Sequence, residues 1–380
     1  MKITGDWLTH PGTQAVCAAL EAGGHQALLV GGCVRNALID APVADIDIAT
    51  DATPDQVIQL ATAAGLKAIP TGIEHGTVTV VAKGRPHEVT TFRRDVDTDG
   101  RHATVAFSGD IREDASRRDF TMNALYARAD GTVVDPLNGL PDLQARRLRF
   151  VGEPEARITE DYLRILRFFR FSAWYADPDL GPDPEALAAI ATHAEGLSRI
   201  SKERIGAEMR KLLAATDPAP VLATMQATGV LQQVLAGADP VAIAPLVHIE
   251  AGRKPHWLRR LAALGGENPT EALRLSRQEQ KTLQQIKDAI GRSGPEVAWR
   301  FGFEVASDAA LVLAASLGQP MMPEWETPLY AASKAIFPIK AANLPQDLQG
   351  PQIGQALKKL EILWIASGFA ASKEELLDQL

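Results

Sequence analysis

The sequence predicts an α+β protein, an N-terminal α/β unit of roughly 135–145 residues followed by an all-helical remainder. Three observations predict it. Short β-rich runs, Leu28–Val30, Thr77–Ala82 and His87–Phe92, lie in the first part. After Gln144 helical periodicity takes over and runs to the C-terminus, broken by proline and glycine clusters at 177–184, 217–220, 236–245 and 316–323. At 380 residues the chain has room for two or three domains with ample core, expected at 1–143, 144–215 and 216–380.

The elements follow in order. Residues 13–23 read as a helix ending at Gly23-Gly24. Leu28–Val30 is short enough for one buried strand, and Cys33–Ile39 is helix-compatible. Asp45-Ile46-Asp47-Ile48 alternates acid and isoleucine as a half-buried strand does. Thr53-Pro54 looks like an N-cap with proline at the first helical position, opening a helix to Ala64 that Gly65 stops. Lys83-Gly84-Arg85-Pro86 joins two β-rich runs as a hairpin. Residues 93–111 are polar and loop-like, and loops of that length are usually functional or disordered. Ser116–Ala127 reads as a helix, Gly131–Val134 as a strand, and DPLNGLPD (135–142) as turns.

Composition limits the function. The net charge is −8, so a nucleic-acid partner has to meet a local basic patch and not a global field. Two such patches stand out. Residues 199–211 hold five Lys/Arg against two acids, and residues 253–277 hold six against two, with His256 and Trp257 among them. Cys17 and Cys33 lie sixteen apart with no CxxC pattern and read as reduced thiols, neither a zinc site nor a disulfide framework. The start, MKITGDWLTH, has no basic-then-apolar signal pattern, and no run approaches ~18 apolar residues, so a soluble cytoplasmic protein is expected.

The chemistry concentrates between Leu28 and Thr50. A strand, the Gly31-Gly32 pair and a helix start place free backbone N–H groups where an anion binds readily, with Arg35 as a charged clamp. No Gly-Lys-Ser/Thr follows, so this is not a Walker loop. On its own, GGCVR also fits an ordinary strand-to-helix turn. Asp45 and Asp47 on one strand face repel each other unless a cation sits between them, and Mg²⁺ is the simplest occupant. Glu88 on the later strand either completes a two-metal site, orients a ligand, or is a surface acid beside His87. In SRRDFTMNAL, Arg117 and Arg118 mark a helix start, with Asp119 and Asn123 beyond, and arginine forks suit phosphate and sugar oxygens.

The segment ITEDYLRILRFFRF (158–171) puts Tyr162, Leu163, Ile165, Leu166 and Phe169 on one helical face. Asp161, Arg164 and Arg167 fall opposite, with Arg170 towards the edge. Asp161 and Arg164, three apart, either pair with each other or read a base edge. A carboxylate accepts from an exocyclic amine while an arginine donates to the adjacent ring nitrogen. Adenine and cytosine share that edge, whereas uracil and guanine mismatch both groups. Such an arrangement admits ATP and CTP and rejects UTP and GTP.

Taken together and in this order, GGCVR, DIDIAT, EHGTVTVV, EVTTFR, RRDFTMNAL, DPLNGLPDL and EDYLRILRFFRF resemble the class II tRNA nucleotidyltransferases, the CCA-adding enzymes. These belong to the polymerase-β-like nucleotidyltransferase superfamily. The resemblance covers about residues 25–210, including SRISKERIGAEMRKLL (198–213). It implies a head with a mixed β-sheet, then an all-helical neck, body and tail. It implies Asp45 and Asp47 as Mg²⁺ ligands, Gly32 and Arg35 at the triphosphate-binding turn, and Arg118 as a nucleotide contact with Asn123 its neighbour. Asp161 and Arg164 match the base-reading pair, and Arg167 and Arg170 further nucleotide or phosphate contacts. ATP and CTP are the implied substrates and tRNA the implied partner. The polar stretch 93–112 falls where the family has a flexible loop linked to adding the terminal A. Two positions depart from the pattern. The family usually has Asp after GGxVR, where this chain has Asn36, so no metal role is assigned there. Its DPxGG turn here contains Asn138, which tolerates left-handed backbone geometry. No His-Asp phosphohydrolase pattern appears in the C-terminal half.

The nearest rival reading is a poly(A) polymerase of the same superfamily. A non-catalytic RNA- or nucleotide-binding protein is disfavoured because both aspartates and the arginines are present. A metal-dependent phosphohydrolase is disfavoured because base-reading residues serve no purpose there.

Overall fold

The computed structural model describes residues 1–98, 103–250, 252–346 and 348–380. Two compact units divide the chain: Met1–Glu208 with Ala227–Val234, and Met209–Gln226 with Leu235–Leu380.

The first unit holds all the strands of the described residues. These are β1 (Leu28–Val30), β2 (Asp47–Thr50), β3 (Lys67–Gly72), β4 (Thr77–Ala82), β5 (Arg85–Thr91), β6 (Arg93–Thr98), β7 (Ala103–Phe107), β8 (Tyr126–Arg128) and β9 (Val133–Val134). Seven form a mixed sheet in the order β3-β4-β5-β2-β1-β8-β9. Only the β2–β5 pair is parallel, and its register sets Asp47 directly opposite Glu88. β1 is central and buried along its length, as its unbroken apolar run requires. The β4–β5 hairpin turns on Lys83 and Gly84, both at positive φ (50° and 78°), the geometry that a two-residue hairpin demands. Asn138 adopts φ 57°, the left-handed conformation its side chain tolerates.

Helices of this unit that matter to the site are α1 (Pro11–Ala22), α2 (Gly32–Leu38), α3 (Pro54–Ala63), α4 (Ile111–Ser116), α5 (Pro154–Glu160) and α6 (Leu163–Tyr175), with α7 (Lys202–Leu213) running past the unit's end. Thr53 caps α3 through a reciprocal box with Gln56.

Three local expectations are corrected. The polar stretch 93–111 is not a loop: β6 and β7 pair antiparallel from Arg93↔Phe107 to Thr98↔Ala103, while residues 99–102 of the expected flexible loop lie outside the described residues. Ser116–Ala127 is not one helix. α4 ends at Ser116, a short 3₁₀ turn spans Thr121–Asn123, and β8 begins at Tyr126. Phe120 is drawn into an extended conformation by an aromatic cluster, its ring centroid 5.1 Å from those of both Phe150 and Phe171. The expected helix through 158–171 breaks at Asp161-Tyr162.

The second unit is helical throughout its described residues. It includes α8 (Ile243–Glu250), α9 (Trp257–Leu264), α10 (Arg277–Ala289), α11 (Phe303–Leu317) and α12 (Pro351–Ala366). Its core contains charge. Glu250 accepts from both Arg259 and Arg260, and Asp308 accepts from Arg259 and faces His256 at 2.6 Å. Arg260, 1% exposed, also donates to the carbonyls of Leu213, Ala215 and Thr216. The basic patch expected at 253–277 therefore loses Arg259 and Arg260 to the interior. Trp257 lies under the guanidinium of Arg210, and Arg253 pairs with Glu326. Among the described residues no helix is long and apolar enough to cross a membrane.

Candidate active site

The acids sit at the start of β2. Ile46 and Ile48 are buried, and Asp47 between them turns out of the core. Asp45 lies two residues before the strand and is exposed, not within it as the alternation predicted. Glu88, exposed on β5, faces Asp47 across the parallel pair. Burial pushes the Asp47 carboxyl up to about 6, the Glu88 and Asp45 charges add to the rise, and Arg118 opposes it. Among the described residues no group of three His, Cys, Asp or Glu side chains is arranged to hold a metal ion. What exists is carboxylate repulsion centred on Asp47. That donor set fits a divalent cation whose remaining oxygens come from substrate and water.

Beside the acids, Gly31 caps α2 at φ 70°, which glycine adopts without strain. A Cβ at Gly31 would lie 3.5 Å from Arg118 Nη1, and one at Gly32 would lie 3.9 Å from Arg35 Nη2. The turn is therefore lined by two guanidiniums. Arg118 is held by Asp114 (Nη2 to Oδ2, 3.0 Å) and by Tyr126 (Nε to the hydroxyl, 3.1 Å). The Tyr126 hydroxyl donates to Asp114 Oδ2 at 2.7 Å. Burial would raise the Asp114 carboxyl, but the Arg118 and Arg117 guanidiniums more than offset it and hold it below the usual range. Arg118 is thereby fixed as a cation in reach of Asp47.

Arg35 lies beneath the same turn, 6% exposed. It donates to Asn36 Oδ1 from Nε and Nη2, to Asn123 Oδ1 and to the Tyr175 hydroxyl. Its guanidinium carbon sits 3.9 Å from the Tyr175 ring centroid. Burial lowers its pKa. Asn123 does not reach the turn with its side chain. Its amide bridges Arg35 to Asp119, and Asp119 accepts from Arg167 Nε at 2.7 Å. Thus Arg35, Asn123, Asp119 and Arg167 form one chain of hydrogen bonds.

Asp161 and Arg164 do not pair with each other. Asp161 Oδ1 accepts from the Leu163 N–H at 3.0 Å, so it caps α6 and ends the helix before it. Its Oδ2 accepts from Arg204 at 2.7 Å. Arg164 donates to Glu160 and to the carbonyls of Arg157 and Arg117. Tyr162, in the break, lies against Gly196, where a Cβ would collide with the ring. Arg170 is tied to Glu208 at 2.5 Å. Segment 117–123 links the parts. The Arg118 side chain faces the acids, the carbonyls of Arg117 and Arg118 receive Arg157, and Asp119 receives Arg167.

Sequence reasoning missed Asp114, Tyr126, Arg157, Glu160, Tyr175 and Arg204. Asp114 carried a signal, since Arg117 and Arg118 follow at the three- and four-residue spacing of helical ion pairs. The capping role of Asp161, also missed, carried one as well, because Asp is a preferred N-cap. Tyr126, Tyr175 and Arg204 carried none, their partners being distant in sequence.

Comparison with known proteins identifies the family. The Poly A polymerase head domain family matches residues 27–149, and the probable RNA and SrmB-binding site of polymerase A matches residues 179–241. The CCA-adding enzyme of Levilactobacillus brevis is 33% identical over 370 residues, covering 91% of each chain. This chain belongs to the CCA-adding enzyme family. The human mitochondrial CCA tRNA nucleotidyltransferase 1 is 47% identical over 190 residues, which span 50% of this chain and 44% of that protein. The crystal structure of the Bacillus stearothermophilus CCA-adding enzyme in complex with CTP matches at 30% identity with a TM-score of 0.75, covering 94% of this chain and 92% of that one. Enzymes of the CCA-adding family generally use divalent metal ions.

Proposed function

We propose that this chain adds CCA to tRNA 3′ ends from CTP and ATP, without a template and with Mg²⁺, releasing pyrophosphate. The observation that carries this reading is the acidic corner, with Asp47 opposite Glu88 across β2 and β5 and exposed Asp45 close by in sequence, together with the Gly31 turn that Arg118 lines. Asp45 and Asp47 would hold Mg²⁺, with Glu88 adding charge to the same corner. A divalent ion bound there polarises phosphoryl oxygens and makes a ribose hydroxyl a better nucleophile. Gly31, Gly32, Arg35 and Arg118 take the triphosphate. The tRNA 3′-oxygen attacks the α-phosphorus in line. A new P–O bond forms, the bond to the bridging oxygen breaks, the hydroxyl proton leaves, and pyrophosphate departs.

Asp161 and Arg164 read the base edge, and Arg167 and Arg170 order the helix that carries them. Reading a base means exchanging or sharing the contacts that Arg204 makes with Asp161 and Glu160 with Arg164. On this reading residues 1–143 are the head, 144–215 the neck, and 216–380 a tRNA-binding body and tail. The acidic total of −8 leaves Lys254, Arg277 and the start of α7 as basic surface for phosphates. Buried free Cys17 and Cys33 suit a reducing, cytoplasmic setting.

Purified protein, tRNA lacking its 3′ end, Mg²⁺ and each labelled nucleotide in turn form the test. Two cytidylates followed by one adenylate are expected, with no UMP or GMP. A long adenylate tract would instead make it a poly(A) polymerase, and no incorporation would make it a binding protein.

A further inference from the structure

Arg35 differs from the other arginines around the site. Arg117 and Arg118 pair with Asp114, Arg157 and Arg164 with Glu160, Arg167 with Asp119, and Arg170 with Glu208. Arg35 forms no ion pair among the described residues. Its hydrogen-bond partners Asn36, Asn123 and Tyr175 are all neutral, and the Tyr175 and Phe171 rings cover it. A buried cation met only by neutral groups is costly, and an arriving anion relieves that cost.

Asn36 occupies the place where a carboxylate would neutralise it. One oxygen, Oδ1, receives Nε at 3.1 Å and Nη2 at 2.8 Å, the fork that a carboxylate would accept. Its Nδ2 donates to the Pro42 carbonyl at 2.7 Å, and that bond fixes which end of the amide faces Arg35. Asparagine and aspartate are nearly isosteric, so at this position they differ in charge and in the donor to Pro42.

We propose that Asn36 sets how tightly this chain holds the triphosphate of its nucleotide, by keeping Arg35 hydrogen-bonded yet unneutralised beneath the Gly31-Gly32 turn. The inference rests on the reading above that this turn takes the triphosphate. The amide orients the guanidinium without spending its charge, and the incoming phosphates supply the missing anion. The base is not involved, so CTP and ATP are affected alike.

Binding of inorganic tripolyphosphate, CTP and ATP to Asn36→Asp, Asn36→Ala and Arg118→Ala, measured by calorimetry beside thermal melts and KM values, is the test. In Asn36→Asp the dissociation constants of all three ligands are expected to rise together by about tenfold, with the preference for CTP over UTP unmoved. In Asn36→Ala the melting temperature falls, because two donors and Pro42 lose their partner, but tripolyphosphate affinity stays within about threefold. Wild-type affinity in Asn36→Asp overturns the proposal. So does an equal loss in Asn36→Asp and Asn36→Ala, which would make Asn36 a spacer only. If Asn36→Asp does not fold, Asn36→Ala decides alone, and a tenfold loss there overturns the proposal. If Arg118→Ala leaves tripolyphosphate binding unchanged, the triphosphate is not at this turn. The site reading has then failed, and the Asn36 proposal falls with it.

Discussion

Asp47→Asn should abolish nucleotide addition and, in chelator, make the protein more stable. The Asp47 carboxyl in the folded chain is raised from 3.8 to about 6, first by burial and then by Glu88 and Asp45. A raised carboxylate pKa means that the folded state holds the proton over a range where the unfolded chain has lost it. Stability contributed by this group therefore falls as pH rises from about 4 to about 7. The full displacement corresponds to about 3 kcal/mol. Asp47 is partly exposed, and solvent screening brings the expected difference to about 2 kcal/mol. Asparagine matches the protonated acid in shape and carries no charge. Urea unfolding of both proteins without metal, at steps from pH 4.5 to 7.5, should show only a small lead for the variant at the acid end. The variant should lead by about 2 kcal/mol at the neutral end. Adding Mg²⁺ should raise wild-type stability and leave the variant where it was. A difference that stays flat across pH, or a variant less stable at neutral pH, would refute the claim that carboxylate repulsion is stored at this corner.

Other substitutions probe the rest of the site. Asp119→Asn removes the charge that pairs Arg167 in a buried setting, so a loss of about 3 kcal/mol is expected by urea unfolding; a loss under 1 kcal/mol would deny it that role. The Asp119 carboxyl is also held below the usual range, because Arg167 and Asn123 outweigh its burial. Its share of stability is present above the ordinary carboxylate value and disappears as pH falls through the depressed one, a loss absent from Asp119→Asn. Gly31→Ala forces an alanine to φ 70° and should weaken tripolyphosphate binding, read by calorimetry, with about 1 kcal/mol lost in stability. Gly196→Ala drives a methyl into the Tyr162 ring and should shift the Asp161-Tyr162 break, raising UMP misincorporation relative to CMP; unchanged selectivity would sever the break from base reading.

Much of the first unit was legible because local signals and tertiary demands agree there. β1, the glycine turn, the Thr53 N-cap and the Lys83-Gly84 hairpin lie where the residues announce them. What stayed hidden was cooperation between distant segments. β6, RRDVDT, is polar, and a polar strand looks like loop until it finds its partner, here β7. Phe120 sits in a helix-like string yet is claimed by Phe150 and Phe171. The salt bridges of Asp161, Arg164 and Arg170 are the sharpest case. Helical spacing suggested which charges share a face, but Arg204, Glu160 and Glu208 decided which charges touch. Likewise Arg259 and Arg260 counted as surface charge in the composition of 253–277, and both are interior.

The side chain of Arg260 has one more outcome. By bonding the carbonyls of Leu213, Ala215 and Thr216 it seals the final turn of α7, where helices ordinarily unravel first. Amide protons there should exchange with deuterium as slowly as those at mid-helix. The same helix carries Arg204, the partner of Asp161, in its first turn.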